Sequence, residues 1–232
     1  MKPIRLAVIF PAFNEGKMLA STISGVRKTL ASHQHITADL IVVDDGSTDQ
    51  TYALAQTWAD VTLRHRLNRG LGGALSTGIT YVKRQGIYDA LITFDSDGQH
   101  NPNDIVRAVA LLQKGSNVVI GSRFLNPSQR FPKWRKYILM FSNLITYLLF
   151  QVKTTDSQSG FRALDQAAFS AITLSTNRME VSSEVFAEIK RHELKLVEMP
   201  ITIAYTPYSL AKGQSNLNSF SILVKLLYKA FH

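Results

Sequence analysis

Apolar and polar positions along this chain fall into short alternating blocks. Ile4-Arg5-Leu6-Ala7-Val8-Ile9-Phe10 is a nearly unbroken apolar run of strand length. The loop Pro11-Ala12-Phe13-Asn14-Glu15-Gly16 follows, and then Leu19, Ile23, Val26 and Leu30 recur at helical spacing. A second strand is predicted over 39–43, closed by Asp44-Asp45-Gly46-Ser47-Thr48-Asp49. Ser47 or Thr48 is suited to cap a helix over about 50–59. A short strand at 61–64 leads to the glycine-rich turn Asn68-Arg69-Gly70-Leu71-Gly72-Gly73 and a helix to about Arg84. Residues 90–94 read as a strand. A helix from Asn101-Pro102 carries Ile105, Val106, Val109 and Leu112, and a strand over 117–120 ends at Gly121-Ser122-Arg123.

Strands alternating with helices of this length imply right-handed crossovers and a mostly parallel sheet covered on both faces. Ligands of such sheets bind beyond the carboxyl ends of the strands. Residues 11–15, 44–47, 95–99 and 122–123 all lie just past predicted strand ends, so four polar clusters converge on one edge.

The second part is less regular. Residues 134–152 are apolar and basic and read as one or two helices. Asp156-Ser157-Gln158-Ser159-Gly160-Phe161-Arg162 reads as a polar loop, 182–191 as a helix, and 194–203 as a strand whose Pro200 places it near a sheet edge. Phe220, Leu223, Val224, Leu227, Tyr228 and Phe231 predict an amphipathic C-terminal helix over 216–232.

Composition adds limits. The chain has 232 residues, 45% apolar, enough for a sizeable core in one large domain or for two small ones. It has no cysteine, which removes disulfides and thiolate metal sites. The first apolar run is too short for a convincing signal peptide, and no stretch reaches the ~20 apolar residues of a spanning helix. Net charge is +9, and no acid occurs over 124–155 or after Glu198. Such surfaces suit anionic lipid or phosphorylated ligands. Nucleic acid is not expected, because no aromatic-basic recognition signature accompanies the charge.

The chemistry centres on Asp95-Ser96-Asp97-Gly98-Gln99. If extension continues past the strand, Asp95 and Asp97 share a face. Two hard oxygen ligands at a strand end suit a divalent cation that also holds a phosphate.

These motifs, in this order, resemble those of family 2 glycosyltransferases. They are Pro11-Ala12-Phe13-Asn14-Glu15, Asp44 to Asp49, Asn68 to Gly72, Asp95 to Gln99, Gly121-Ser122-Arg123-Phe124 and Ser159-Gly160-Phe161-Arg162. The nearest resemblance is to dolichyl- or polyprenyl-phosphate mannose or glucose synthases, over about residues 4–215. It implies an α/β, Rossmann-like GT-A fold with C-terminal amphipathic helices. The nucleotide-sugar half would be about 1–123 and the acceptor half about 124–215. It implies a GDP-mannose or UDP-glucose type of donor, Mg²⁺ or Mn²⁺, a polyprenyl phosphate acceptor and an inverted, β-linked product. Pro11, Phe13, Glu15, Val43 and Asp45 would line the nucleoside pocket, with Asp95 and Ser96 near the ribose or metal. Asp97 and Gln99 would be direct metal ligands, joined by Asp95. Arg123 would grip a donor phosphate. Arg135, then Lys136 and Lys212, would meet the acceptor phosphate. Asp97, Arg123 and Arg135 are thus the expected catalytic groups, on the cytoplasmic face of a membrane or beside a small membrane subunit.

The bland readings sit beside these. The glycines of 68–73 read first as a tight turn, and His100 as a support rather than a ligand. Arg162 could pair with a core carboxylate, and Glu180 and Glu184 could be surface charges. Residues 130–152 fit a core helix pair, a membrane-surface helix or a partner interface. The chain also departs from the resembled pattern, with Leu210 and Asn216 where arginine and lysine are expected. It lacks a QxxRW sequence, which argues against a processive polysaccharide synthase. Transfer to a glycan hydroxyl and a turnover-deficient nucleotide-binding subunit remain alternative expectations.

Overall fold

The computed structural model describes residues 2–131 and 133–204, the side chains of Lys133 and Trp134 excepted. The expected C-terminal helix, Lys212 and the 210–216 segment lie outside the described residues. Fourteen elements follow in order: β1 (Ile4–Ala12), α1 (Leu19–Ala31), β2 (Ile36–Asp44), α2 (Thr51–Trp58), β3 (Val61–Arg64), α3 (Leu71–Gln85), β4 (Ala90–Thr93), α4 (Asn103–Gln113), β5 (Val118–Ser122), α5 (Lys133–Phe150), β6 (Arg162–Asp165), α6 (Gln166–Ala171), α7 (Val181–Arg191) and β7 (Leu196–Pro200). The strands form one sheet in the order β3-β2-β1-β4-β6-β5-β7.

Alternation along β1 explains the two packed layers. Leu6, Val8 and Phe10 point to one face, where they join Leu19, Ile23, Ile105 and Val109 of α1 and α4. Ala7 and Ile9 point to the other, with Leu75, Ile79, Val185 and Phe186 of α3 and α7. β1 lies inside the sheet, so both its faces are covered, as its continuous apolar sequence requires.

All strand pairs are parallel except those of β6, which is antiparallel to both β4 and β5. The sequence reading left β6 and α6 inside or after a loop. Arg-Ala-Leu-Asp has little intrinsic strand preference, and its pairing on both sides imposes the conformation. Asp165 then caps α6 through the amide of Ala168. The apolar, basic stretch forms one helix, α5, ending at Phe150, and Pro200 lies on β7 at the sheet edge. Neither Ser47 nor Thr48 caps α2, whose N-cap is Gln50 with no side-chain cap bond, because Asn14 and Asp44 hold the 47–48 turn instead.

The antiparallel strand has a consequence for function. The carboxyl ends of β1, β2, β4 and β5 share one edge, and the amino end of β6 arrives at that same edge. The loop over 156–162 therefore joins the four polar clusters.

The glycine-rich turn is a packing device. A Cβ on Gly72 would lie 2.0 Å from the backbone oxygen of Thr176, and the Gly73 amide donates to the Asn177 carbonyl at 2.9 Å. Gly72→Ala is expected to lower unfolding free energy by about 1–3 kcal/mol through overpacking. Urea denaturation checks this, with a lowered midpoint and an unchanged slope.

Candidate active site

Hydrogen bonds tie the strand ends into one rim. The Asp45 amide donates to the Ala12 carbonyl at 2.8 Å, and the Ser96 hydroxyl to the Pro11 carbonyl at 2.8 Å. Asn14 sits between the first two clusters. Its amide donates to the Ser47 hydroxyl, and its side-chain oxygen accepts from the Thr48 amide, each at 2.9 Å. Pro11 and Glu15 are half-buried and Phe13 is exposed on this rim. Val43 is a fully buried core residue beneath it.

Asp44 and Asp45 have separate tasks. Asp44 accepts from the Ser47 amide and pairs with Arg64. Asp45 accepts from the amides of Arg69 and Gly70, at 2.9 and 2.6 Å, and bonds His65 at 2.6 Å. Its carboxylate is nearly buried. Asp45 thus fastens the glycine-rich turn to the rim.

The acidic pair does not arise by strand alternation, because β4 ends at Thr93 and residues 96–98 turn. The turn, with Gly98 at φ 76°, brings the carboxylates together instead. Asp95 accepts from His100 Nε2 at 3.0 Å and keeps 38% of its side chain exposed. Burial opposes its ionisation, but the His100 hydrogen bond and charge, with Arg123 and Arg162 beyond, hold the carboxyl below its ordinary value. Asp97 moves the other way, raised by burial and by the Asp95 charge. Gln99 donates to Asp97 through both its backbone amide, at 3.1 Å, and its side-chain amide, at 2.5 Å. A Cβ on Gly160 would fall 2.4 Å from Asp95 Oδ2, so glycine there lets the 156–162 loop lie against the acid. His100 is a support, as expected: its ring is buried between Phe94 and Phe161 and holds Asp95 in place.

The basic side is built just as firmly. Arg123 donates from Nε and Nη2 to the fully buried Asp156, at 2.7 and 2.6 Å, and its amide adds a third bond at 3.0 Å. This edge of the guanidinium is committed to the protein. Asp156 was not singled out in the sequence, and nothing local to it marks the pairing. On either side of Asp156, Asn143 of α5 donates to the Thr155 carbonyl at 2.5 Å and accepts from the Ser157 amide at 2.8 Å. Glu198 accepts from Thr154 and Thr155. Arg162 is buried, facing Asp95 and Asp156, and its Nη2 donates to the carbonyls of Ser157 and Ser182. Burial lowers its pKa to about 10 against the raising effect of the two carboxylates. Arg135 is half-buried and Lys136 exposed in the first turn of α5. Glu184 accepts from the amides and hydroxyls of Ser175 and Thr176, anchoring the loop that seats on Gly72.

A hard-oxygen pair near a fixed guanidinium on an α/β sheet edge has the chemistry suited to a phosphorylated ligand. Known proteins give that class a family. Residues 7–173 match the family model described as Glycosyl transferase family 2. An uncharacterized protein of Methanocaldococcus jannaschii is 42% identical over 95% of this chain and 90% of its own. A UDP-N-acetylglucosamine–dolichyl-phosphate N-acetylglucosaminyltransferase of Methanococcus voltae is 32% identical over 95% and 94%. Among solved structures, glucosyl-3-phosphoglycerate synthase of Mycobacterium tuberculosis superposes with a TM-score of 0.69 at 17% identity, covering 98% of this chain and 80% of that one. The fold is thus GT-A. The chain belongs to glycosyl transferase family 2 and is a glycosyltransferase.

Glu184 supplies a pH test of the scaffold. Burial raises its pKa, and the hydrogen bonds from Ser175 and Thr176 lower it further than burial raises it. A carboxyl depressed on folding stabilises the protein above its unfolded value, and this contribution is lost as pH falls through the folded value. Glu184→Gln is therefore expected to destabilise at pH 7 and to reduce the acid-side loss of stability below about pH 4.3. Thermal unfolding between pH 7 and 3 checks both.

Proposed function

We propose that this glycosyltransferase moves a sugar from a nucleotide donor to a polyprenyl phosphate. The observation that carries the reading is the pairing of a two-carboxylate turn with an adjoining acid-free basic stretch, 124–155. The Methanococcus relative, named for transfer to dolichyl phosphate, matches almost end to end and supports it. Its name also places UDP-N-acetylglucosamine beside GDP-mannose and UDP-glucose among the donors to test.

The donor set fits a hard divalent cation. Two carboxylates lie close enough for the charge of Asp95 to raise the pKa of Asp97, and a cation would relieve that repulsion. Asp97 and Asp95 would hold Mg²⁺ or Mn²⁺ with the Gln99 side-chain oxygen, while its amide steadies Asp97. Bound there, the ion would act as a Lewis acid on the donor diphosphate.

The chain's own residues do the remaining work. Phe13 and Glu15 offer the exposed and half-exposed surfaces for the nucleoside, and Asp45 positions the glycine turn beneath them. Ser96 holds the acidic turn to β1. Arg123, set by Asp156, fixes the electrostatic field on the phosphate side. Arg135 and Lys136 receive the acceptor phosphate. That phosphate is already an anion, so its oxygen attacks the anomeric carbon without a general base. The new carbon–oxygen bond forms as the bond to the diphosphate breaks, inverting the configuration. Rate then comes from positioning and electrostatics.

Radiolabelled nucleotide sugars with a short polyprenyl phosphate in detergent test the reading, and lipid-linked label is expected only with Mg²⁺ or Mn²⁺. Label passing instead to a sugar hydroxyl, or to nothing while donor still binds, would overturn the acceptor assignment. Asp97→Ala is expected to abolish metal-dependent donor binding and to cut kcat by about 10²–10³ or more. Isothermal titration with the nucleoside diphosphate and Mn²⁺ reads the first effect. Arg135→Ala is expected to raise KM for the acceptor about tenfold, near 1.4 kcal/mol, with donor affinity unchanged. Steady-state kinetics in both substrates separates the two.

A further inference from the structure

Beside the acid turn the sheet edge encloses a small recess. Pro11, Leu71 and Leu75 form its apolar wall, and Asp95, Ser159 and Arg162 its polar one. It has room for a single group about the size of a water molecule. Asp95 lines the recess and also keeps 38% of its side chain exposed, so this carboxylate connects the recess to the rim.

The polar wall is firmly held. Arg162 opens β6, and its Nη2 donates to the carbonyls of Ser157 and Ser182, at 3.3 and 3.1 Å. Thr93 ends β4, and its hydroxyl donates to the Gly160 carbonyl at 2.6 Å, which pins the loop that carries Ser159. In this fixed frame two polar atoms stand out. Arg162 Nε and Ser159 Oγ are buried and have no hydrogen-bond partner among the described residues. The two residues are only 4% and 3% exposed. A buried donor left unpaired lowers stability, and two of them on one recess need a reason.

The chemistry of the wall selects the ligand. Arg162 Nε only donates, an ionised Asp95 only accepts, and the Ser159 hydroxyl does either. A group that satisfies all three must both accept and donate from about one heavy atom. An alcohol hydroxyl does so. A phosphate oxygen has no proton for Asp95, an ammonium has no lone pair for Arg162, and an acetamido group is too large. The nearest source of a hydroxyl is the sugar, which hangs from the diphosphate that the acid turn would hold. We infer that the recess reads one hydroxyl of the transferred sugar through Arg162 Nε and Ser159 Oγ, and so helps set which sugar is accepted. The inference rests on the nucleotide-sugar reading of the rim and is independent of the acceptor.

Ser159→Ala removes one of the two readers together with an unpaired buried hydroxyl. The variant is expected to be at least as stable as the parent in thermal unfolding. Isothermal titration with Mn²⁺ compares UDP and GDP with UDP-glucose, UDP-N-acetylglucosamine and GDP-mannose, and gives the affinity that the sugar adds. The variant is expected to keep the parent's affinity for the nucleoside diphosphate and to lose about 3–10-fold for the preferred nucleotide sugar. Nucleotide sugars lacking each hydroxyl in turn identify the group that is read. At one position the loss is expected to be clearly smaller in Ser159→Ala than in the parent, because both changes remove the same bond. Arg162→Lys keeps the charge without Nε and is expected to show the same effect at the same position. Losses that simply add at every position would overturn the inference. A more stable Ser159→Ala with unchanged sugar affinity would also overturn it and assign the recess to a structural water. Failure of both UDP and GDP to bind with Mn²⁺ would count against the nucleotide-sugar reading itself, and the inference would fall with it.

Discussion

Asp156 is a carboxylate with no exposure to water, and it is tolerable there because Arg123 meets it through two side-chain bonds and a backbone amide. Leaving one half of such a pair alone in the interior costs about 3–5 kcal/mol. The pair therefore fixes the position of both chain segments. It can form only because β6 runs antiparallel between β4 and β5. A parallel strand at that place would begin at the other edge, and the 156–162 loop would never reach the carboxyl end of β5.

The same reversal serves the acidic side. Gly160 lets the loop lie against Asp95, and Phe161 packs against His100, which steadies Asp95. One short strand thus brings a carboxylate pair and a guanidinium to one rim. The electrostatics follow from that closeness. Asp95 stays ionised beside His100 and the arginines, and its charge then raises Asp97, leaving the turn short of positive charge. A divalent cation held there with a diphosphate would supply what is missing.

Much of this was legible in the residues. Buried strands announced themselves as apolar runs, and Leu19, Ile23, Val26 and Leu30 all face the core as their spacing requires. The four polar clusters met at one edge because parallel crossovers leave strand ends together. What escaped were features made by tertiary contact. β6 has four residues of weak strand preference, and its conformation is imposed by its neighbours. Asp156 finds Arg123 across 33 positions, and Asn143 finds the same loop from α5, with no local mark on either. The alternation argument for Asp95 and Asp97 expected the wrong geometry, since the chain turns after Thr93 and the turn brings the two carboxylates together. The bonds from Asp45 to the glycine turn, and the depth of Val43 in the core, were likewise not legible in the local sequence.

In the proposed reaction the acid turn would face the donor diphosphate, and the basic side would present a phosphate that needs no base to attack. The chemical identity of the new bond tests that claim most directly. Phosphorus and proton NMR of the purified lipid product should show a single phosphodiester coupled to the anomeric proton, in the configuration opposite to the donor. A diphosphate linkage, a retained configuration or a glycosidic bond to a hydroxyl would contradict it.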